Sequence, residues 1–517
     1  MSTNKSIIRS AGVIGVATLC SRLLGFIRDI VIARLFGVYL YAQAFVVAFK
    51  IPNLFRDLVA EGAANAAFVP VFSEYSVKHS KEEFWQLAGV VLNLLVVILM
   101  AITILGIAFS PLIVRLIAPG FISDPQKLAT TVTLNRIIFP YILLISLAVY
   151  ATALLNSLKY FTIPAFAPCL LNASIIVCAL LFGEGVQGLA WGVLAGGVLQ
   201  LAVQIPSLYR RGFRLKLAID LRHPELKSIS RLMLPRLFSS GIYQLNNFVD
   251  SIFGSLAFVV GEGGVAVLYF AYRLIQFPLG IFSNALSQAI LPTFSTQALE
   301  PGQEDLKRTL SFGLRAVFFV MLPASAGFMT LAQPIVRTLF GGGKFDAYSV
   351  EATANVLLFY SLGLCFYGAT KVVQSCFFAL KDSLTPAKVS VISLGMNVAL
   401  NTALMFPMKV AGLALATSIS GIVTFLILAF MLDGKLKGFD LRPVVAAFGR
   451  ILAASIGMGL VCSYFSRHNI FPGNDIATRV LNLVLAIGAG LASYGIFCVL
   501  FRVKELKELW QWLVRRG

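Results

Sequence analysis

The chain has 517 residues, of which 58% are hydrophobic and 13% charged, with mean hydropathy +0.86 and a formal net charge of +19. A soluble domain carries about 25% charged residues, so a water-soluble globular protein is excluded. The repeated apolar runs are too long for strands and predict an all-α polytopic membrane protein.

About fourteen spans follow in chain order, at roughly 8–36, 39–60, 85–117, 127–157, 161–183, 187–209, 229–258, 263–292, 305–338, 348–378, 385–406, 411–433, 444–466 and 476–502. Lysines and arginines crowd the segments on one side of these spans, from Lys5 and Arg9 through Arg210, Arg211 and Lys227 to Arg515 and Arg516. The positive-inside rule then sets both termini in the cytoplasm. That asymmetry accounts for most of the net charge, so no nucleic-acid partner is needed. The largest loop and the tail Lys504 to Arg516 both mix cations with leucines and read as interfacial segments.

An internal repeat organises the chain. Val69-Pro70-Val71-Phe72-Ser73 returns as Leu291-Pro292-Thr293-Phe294-Ser295, at an offset of 222. The same offset relates Ile113-Val114-Arg115 to Ile335-Val336-Arg337, and Leu158-Lys159 to Leu380-Lys381. Val186-x-Gly188-Leu189-Ala190 recurs as Val410-x-Gly412-Leu413-Ala414, at 224. A near-constant offset marks a duplicated unit. Six spans per copy is an even number, so both copies run in the same direction, as in several transporter folds. The expected organisation is a six-helix lobe over 1–209, an amphipathic cytoplasmic linker over 210–228 and a second six-helix lobe over 229–433. Two added helices occupy 434–502, and a tail occupies 503–517.

Polar residues concentrate in the first two helices of each lobe. In the first span, Thr18, Ser21, Arg22, Gly25, Arg28 and Asp29 fall on one face within about 120° at 100° per residue. Charges at membrane depth cost about 2.5–3.5 kcal/mol each, so this stripe faces protein or water rather than lipid. The second span repeats the pattern with Lys50, Asn53, Arg56, Asp57 and Glu61, and Pro52 kinks it. The eighth span aligns Arg273, Gln276, Gly280 and Asn284. The acids offer structural ion pairs, but the surplus of arginines points to a site for an anion, because guanidinium forks match phosphate oxygens. A second group, Asp250 with Asn397, Asn401 and Thr417, has two readings: hard oxygen ligands for a cation such as sodium, or interhelical hydrogen bonds.

Enzyme signatures are absent from the sequence. Its three histidines lie in expected loops or tails, its seven cysteines lie in apolar runs without C-x-x-C spacing, and no Walker motif occurs. The chain is read as a non-enzyme that needs no organic cofactor.

The stretches Ser21-Arg22-Leu23-Leu24-Gly25-Phe26-Ile27-Arg28-Asp29, Ala48-Phe49-Lys50-Ile51-Pro52-Asn53-Leu54-Phe55-Arg56 and Ala60-Glu61-Gly62-Ala63 resemble the MurJ (MviN) lipid II flippases. Those belong to the multidrug/oligosaccharidyl-lipid/polysaccharide exporter superfamily. The resemblance implies a bacterial inner-membrane protein that acts as a monomer among membrane lipids. It would move lipid II, an undecaprenyl-pyrophosphate-linked peptidoglycan precursor, from the cytoplasmic to the periplasmic leaflet. Arg22, Arg28, Arg56 and Arg273 match the family's cavity arginines, Asp29 and Glu61 match motif positions, and the two added helices match a groove for the polyprenyl tail. Asp250, Asn397, Asn401 and Thr417 resemble a sodium site of some members, with Asn401 standing where those members carry an acid. The rival readings are a flippase for another polyprenyl-linked glycan of the O-antigen type and a cation-coupled drug exporter. A polyprenyl-phosphate glycosyltransferase would need an acidic metal-binding or catalytic pair in a sizeable aqueous loop, and the expected outer loops are all short.

Overall fold

In a computed structural model, residues 3–57, 67–214, 224–468 and 470–506 are described. The chain divides into two compact units, Met1–Phe258 and Val259–Gly517. The first contains α1 (Thr3–Phe36), α2 (Leu40–Asp57), α3 (Val69–Lys78), α4 (Lys81–Ala108), α5 (Ser110–Ile117), α6 (Pro125–Ile138), α7 (Tyr141–Ser157), α8 (Thr162–Phe182), α9 (Gln187–Ala202), α10 (Ile205–Tyr209) and α11 (Pro224–Gly254). A single turn, α12 (Ala257–Val260), carries the boundary. The second contains α13 (Gly264–Pro278), α14 (Asn284–Gln297), α15 (Glu304–Leu339), α16 (Ala347–Ala379), α17 (Leu384–Lys435), α18 (Arg442–Arg467) and α19 (Ile476–Leu500).

Among the described residues no strand is named, and ten helical segments are long and apolar enough to cross a membrane. Backbone N–H and C=O groups find no water in hydrocarbon, so a helix that satisfies them internally is the form an apolar run takes there. The segments α1 and α2 are not among the ten. Their apolar runs are interrupted by Arg22, Arg28 and Asp29, and by Lys50, Arg56 and Asp57.

Several expected spans are broken where proline removes a backbone donor. The third divides at Phe109, before Pro111, and the fourth at Phe139–Pro140. The eighth continues past Pro278 through a wide π turn, Leu279–Ser283. The expected eleventh and twelfth spans are the two arms of α17, which reverses at Lys409 (φ 52°, ψ −138°), just after Pro407.

The duplicated sequence gives duplicated helix ends. Leu158-Lys159 and Leu380-Lys381 close α7 and α16 in the same way: the lysine takes a left-handed conformation (φ 63° and 59°) and the next N–H reaches back five residues. Those bonds run from Tyr160 to Leu155 O (2.8 Å) and from Asp382 to Phe377 O (2.9 Å). Lys437 after α17 and Arg502 after α19 repeat the device (φ 54° and 55°). Glycine is the usual residue in this cap. A cation there faces the negative end of the helix dipole, worth about 0.3–1 kcal/mol. Asp382 then bridges to the far arm of α17 through Lys435 Nζ (2.6 Å) and caps Thr385, and these contacts hold its carboxyl well below the usual carboxylate range.

In the first unit, α1 packs mainly on α8, and α2 on α6 and α7. The segment α11 belongs to this unit and contacts α3, α5 and the 3-10 turn Pro119–Ser123. Gly120 makes that last contact. Its N–H donates to Ser255 Oγ (3.0 Å), and a Cβ there would stand 2.0 Å from the Ser255 carbonyl oxygen. Gly120→Ala is therefore expected to lower stability by about 1–3 kcal/mol, read as a drop in the thermal unfolding midpoint of the purified protein, whereas Gly12→Ala, with no neighbour within 4 Å, leaves it unchanged.

Candidate functional site

The charged stripe of α1 is buried where it meets α8. Arg28 is 5% exposed and Asp29 2%. Burying a lone guanidinium is costly, and an adjacent carboxylate with a matching acceptor offsets much of that cost. Arg28 Nε and Nη2 both donate to Asp29 Oδ1, at 3.0 and 2.7 Å. Its Nη1 donates to Asn172 Oδ1 (3.0 Å), on α8. Asn172 Nδ2 in turn donates to the Ser21 carbonyl (3.1 Å), about two turns before Arg28 on α1. Gly25 sits opposite this amide, where an added Cβ would just touch it at 3.6 Å. Ser21, Asn172, Arg28 and Asp29 thus form one chain of hydrogen bonds that fixes the guanidinium plane.

Arg22 shares the stripe but is exposed. Asn53 and Arg56 on α2 are half-buried, and Glu61 lies outside the described residues. Lys50, also on α2, turns to α11: its ammonium donates to Ser251 Oγ, lies over the Phe248 ring (5.8 Å) and feels the charge of Asp250. Asp250 therefore has an ammonium as its electrostatic neighbour within the first unit.

In the second unit, Arg273 on α13 is gripped by its own helix. Its Nη2 donates to Tyr269 Oη (3.1 Å) and its Nη1 to Gln276 Oε1 (3.1 Å), with the guanidinium carbon 4.9 Å from the Tyr269 ring centroid. The spacings i−4 and i+3 are those at which helical side chains meet. Gln276 was expected in this group; Tyr269 was not, although its spacing from Arg273 was visible.

Asn397, Asn401 and Thr417 come together on the two arms of α17. Asn401 Nδ2 donates to Asn397 Oδ1 (3.0 Å), Asn397 Nδ2 to Thr417 Oγ1 (3.2 Å), and Thr417 Oγ1 to the Leu413 carbonyl (3.0 Å). Asn397 Oδ1 and Thr417 Oγ1 each accept a hydrogen bond in this chain, while Asn401 Oδ1 has none among the described residues. Among those residues no cluster of three or more His, Cys, Asp or Glu could hold a metal ion.

Long apolar helices, a duplicated helical plan and buried mid-span charges define a multi-pass membrane protein of the transporter type. Its fold is shared with an inward-facing MATE-family multidrug transporter of the MOP superfamily, at TM-score 0.67 and 16% identity, covering 80% of this chain and 94% of that one. The family model of the lipid II flippase MurJ matches residues 32–476, and the chain belongs to that family. It is 32% identical to the probable lipid II flippase MurJ of Vibrio cholerae over 98% of this chain and 99% of that one. With the probable lipid II flippase MurJ of Buchnera aphidicola from Acyrthosiphon pisum it shares 37% identity, over 80% and 82% of the two chains. A solved lipid II flippase MurJ in an inward closed conformation superposes at TM-score 0.79 with 27% identity, covering 95% of this chain and 98% of that one.

The Asn172 amide gives a direct test of the buried network. Asn172→Leu removes the acceptor of Arg28 and the donor to Ser21, and is expected to lower stability by about 1–3 kcal/mol, measured as the thermal unfolding midpoint in detergent. Ser174→Ala, two residues along the same helix, serves as the control and should leave the midpoint within error.

Proposed function

We propose that this protein is a lipid II flippase of the bacterial inner membrane. It carries the undecaprenyl-pyrophosphate-linked precursor from the cytoplasmic to the periplasmic leaflet by alternating access. Family membership supports the cargo class. The observation that carries the site is the buried Arg28–Asp29–Asn172 network, an arginine held in a fixed plane at mid-span. A pyrophosphate is a doubly forked acceptor, and guanidinium groups bind such oxygens in pairs. Arg28 and Arg22 in the first unit supply guanidinium groups for the pyrophosphate, and Arg273 is the candidate cation of the second unit. Asp29 orients Arg28 and lowers the local positive charge, so that the anion is held firmly but can still leave.

Neither terminus crosses the membrane in this scheme; both stay cytoplasmic, and the polyprenyl tail stays in the bilayer along α18 and α19. An interior-negative potential favours export of an anion. Each charge crossing 100 mV gains about 2.3 kcal/mol, so no nucleotide site is required.

The test is depletion with complementation. Cells losing the protein are expected to accumulate lipid II in the inner leaflet and lyse, and the wild-type gene to restore growth. Arg28→Ala and Arg273→Ala, expressed at wild-type levels, are expected to fail. Full rescue by both variants overturns the cationic site, and rescue of an O-antigen flippase mutant alone overturns the choice of cargo.

A further inference from the structure

The second unit holds another cationic feature, at the opposite ends of its helices from the lysine and arginine caps. Where α15 ends, α18 ends and α19 begins, a cavity of about 200 Å³ opens between the three helices. Arg337 from the last turn of α15 and Arg479 from the first turn of α19 both line it. No lining residue is acidic. The nearest carboxylate along the chain, Asp475, turns its oxygens to Thr478 N (3.2 Å) and Thr478 Oγ1 (2.6 Å), capping α19. Glu351 lines a neighbouring cavity that has only Gln333 in common with this one.

The two guanidinium groups are only partly used by the protein. Arg337 Nη2 donates to Asn474 Oδ1 (3.0 Å). Arg479 is half-buried, and its Nε is buried without a hydrogen-bond partner among the described residues. An unpaired buried donor on a charged group is expensive unless a ligand completes it. The loop over the cavity is pinned by Asn482, which accepts from Phe471 N (3.1 Å) and donates to Phe471 O (3.0 Å). The cavity is thus framed by a fixed loop.

Beside the arginines the lining mixes neutral polar side chains, Gln333, Thr338, Ser466, Asn474 and Asn482, with apolar Leu331, Phe465, Leu483 and Ala486. Further along α18 and α19, Leu460, Ile487 and Leu491 are exposed, at 69%, 41% and 64%. A polar, doubly cationic head next to an exposed apolar surface is complementary to an amphiphile with an anionic phosphate. Arg115, the repeat counterpart of Arg337, likewise ends its helix. In the second unit, α18 and α19 pack against the end of α15, and Arg337 lines a cavity between the three helices.

We propose that the Arg337–Arg479 pocket binds a phosphate ester presented at the membrane surface, the headgroup of an anionic phospholipid. Its two arginines fork the phosphate oxygens, and its acyl chains lie along α18 and α19. The headgroup pocket uses neither Arg28 nor Arg273, although its acyl chains share the α18 and α19 surface with the polyprenyl tail proposed above.

The test is native mass spectrometry of the purified full-length protein from mixed micelles holding equal phosphatidylglycerol and phosphatidylcholine. Wild type is expected to retain phosphatidylglycerol about tenfold better than Arg337→Gln/Arg479→Gln, a difference of about 1.4 kcal/mol. The charge-preserving Arg337→Lys/Arg479→Lys should retain most of it. Millimolar inorganic phosphate, added as a competitor, separates the ligand sources. Failure to displace the lipid supports a headgroup site, whereas complete displacement overturns the lipid in favour of a free phosphate. Equal retention by wild type and the glutamine pair overturns the site altogether. If the glutamine pair does not elute as a folded species, Arg479→Gln alone carries the comparison.

Discussion

A guanidinium cannot be left alone at mid-membrane, and the first helix bundle is arranged around that constraint. Arg28 is neutralised within its own helix by Asp29 and is then tied by Asn172 to α8. The same amide satisfies the Ser21 carbonyl, so one side chain bridges two levels of α1. Local pairing supplies the charge balance, and the tertiary contact supplies the orientation. Arg273 solves the same problem differently, with an aromatic hydroxyl and an amide on its own helix in place of a carboxylate. The two arginines therefore differ in environment: Arg28 is paired with an anion, and Arg273 donates to the neutral Tyr269 and Gln276.

Much of the architecture was legible because a bilayer leaves few choices. Length and apolarity marked the long helices, and a constant sequence offset marked the duplication. The offset reappears as matching helix caps at Lys159 and Lys381. It also reappears as matching close contacts: an added Cβ at Gly188 would meet Phe182, and one at Gly412 would meet Leu404, each on the preceding helical segment. Breaks within helices were less legible. Pro111 and Pro140 were visible in the sequence, but whether a proline bends a helix or divides it depends on what fills the gap.

The stripe on α1 was legible as a face, but not the fate of each member. Arg22 and Arg28 lie near opposite edges of an arc of about 120°. Packing on α8 buries one and leaves the other exposed, and nothing in the local sequence distinguishes them. Asn172 was missed because its partners are 144 and 151 residues away. Its signal was faint: an amide four residues after Pro168 in an otherwise apolar run. Asn397 and Asn401 show the converse. Their i, i+4 spacing placed them together correctly, but spacing alone does not say whether two amides share an ion or bond to each other.

The placement of α11 has a consequence for how the duplication can be undone. By sequence, a second copy of the repeat begins near 229, with the helix that opens it. By packing, that helix belongs with α3, α5 and the Pro119–Ser123 turn, and it presents Phe248, Asp250 and Ser251 to Lys50. The repeat boundary and the packing boundary are therefore offset by one helix, α11. A gene cut at the linker would strand a helix with the wrong half, stripping the first bundle of a wall and leaving Lys50 without its counter-charge.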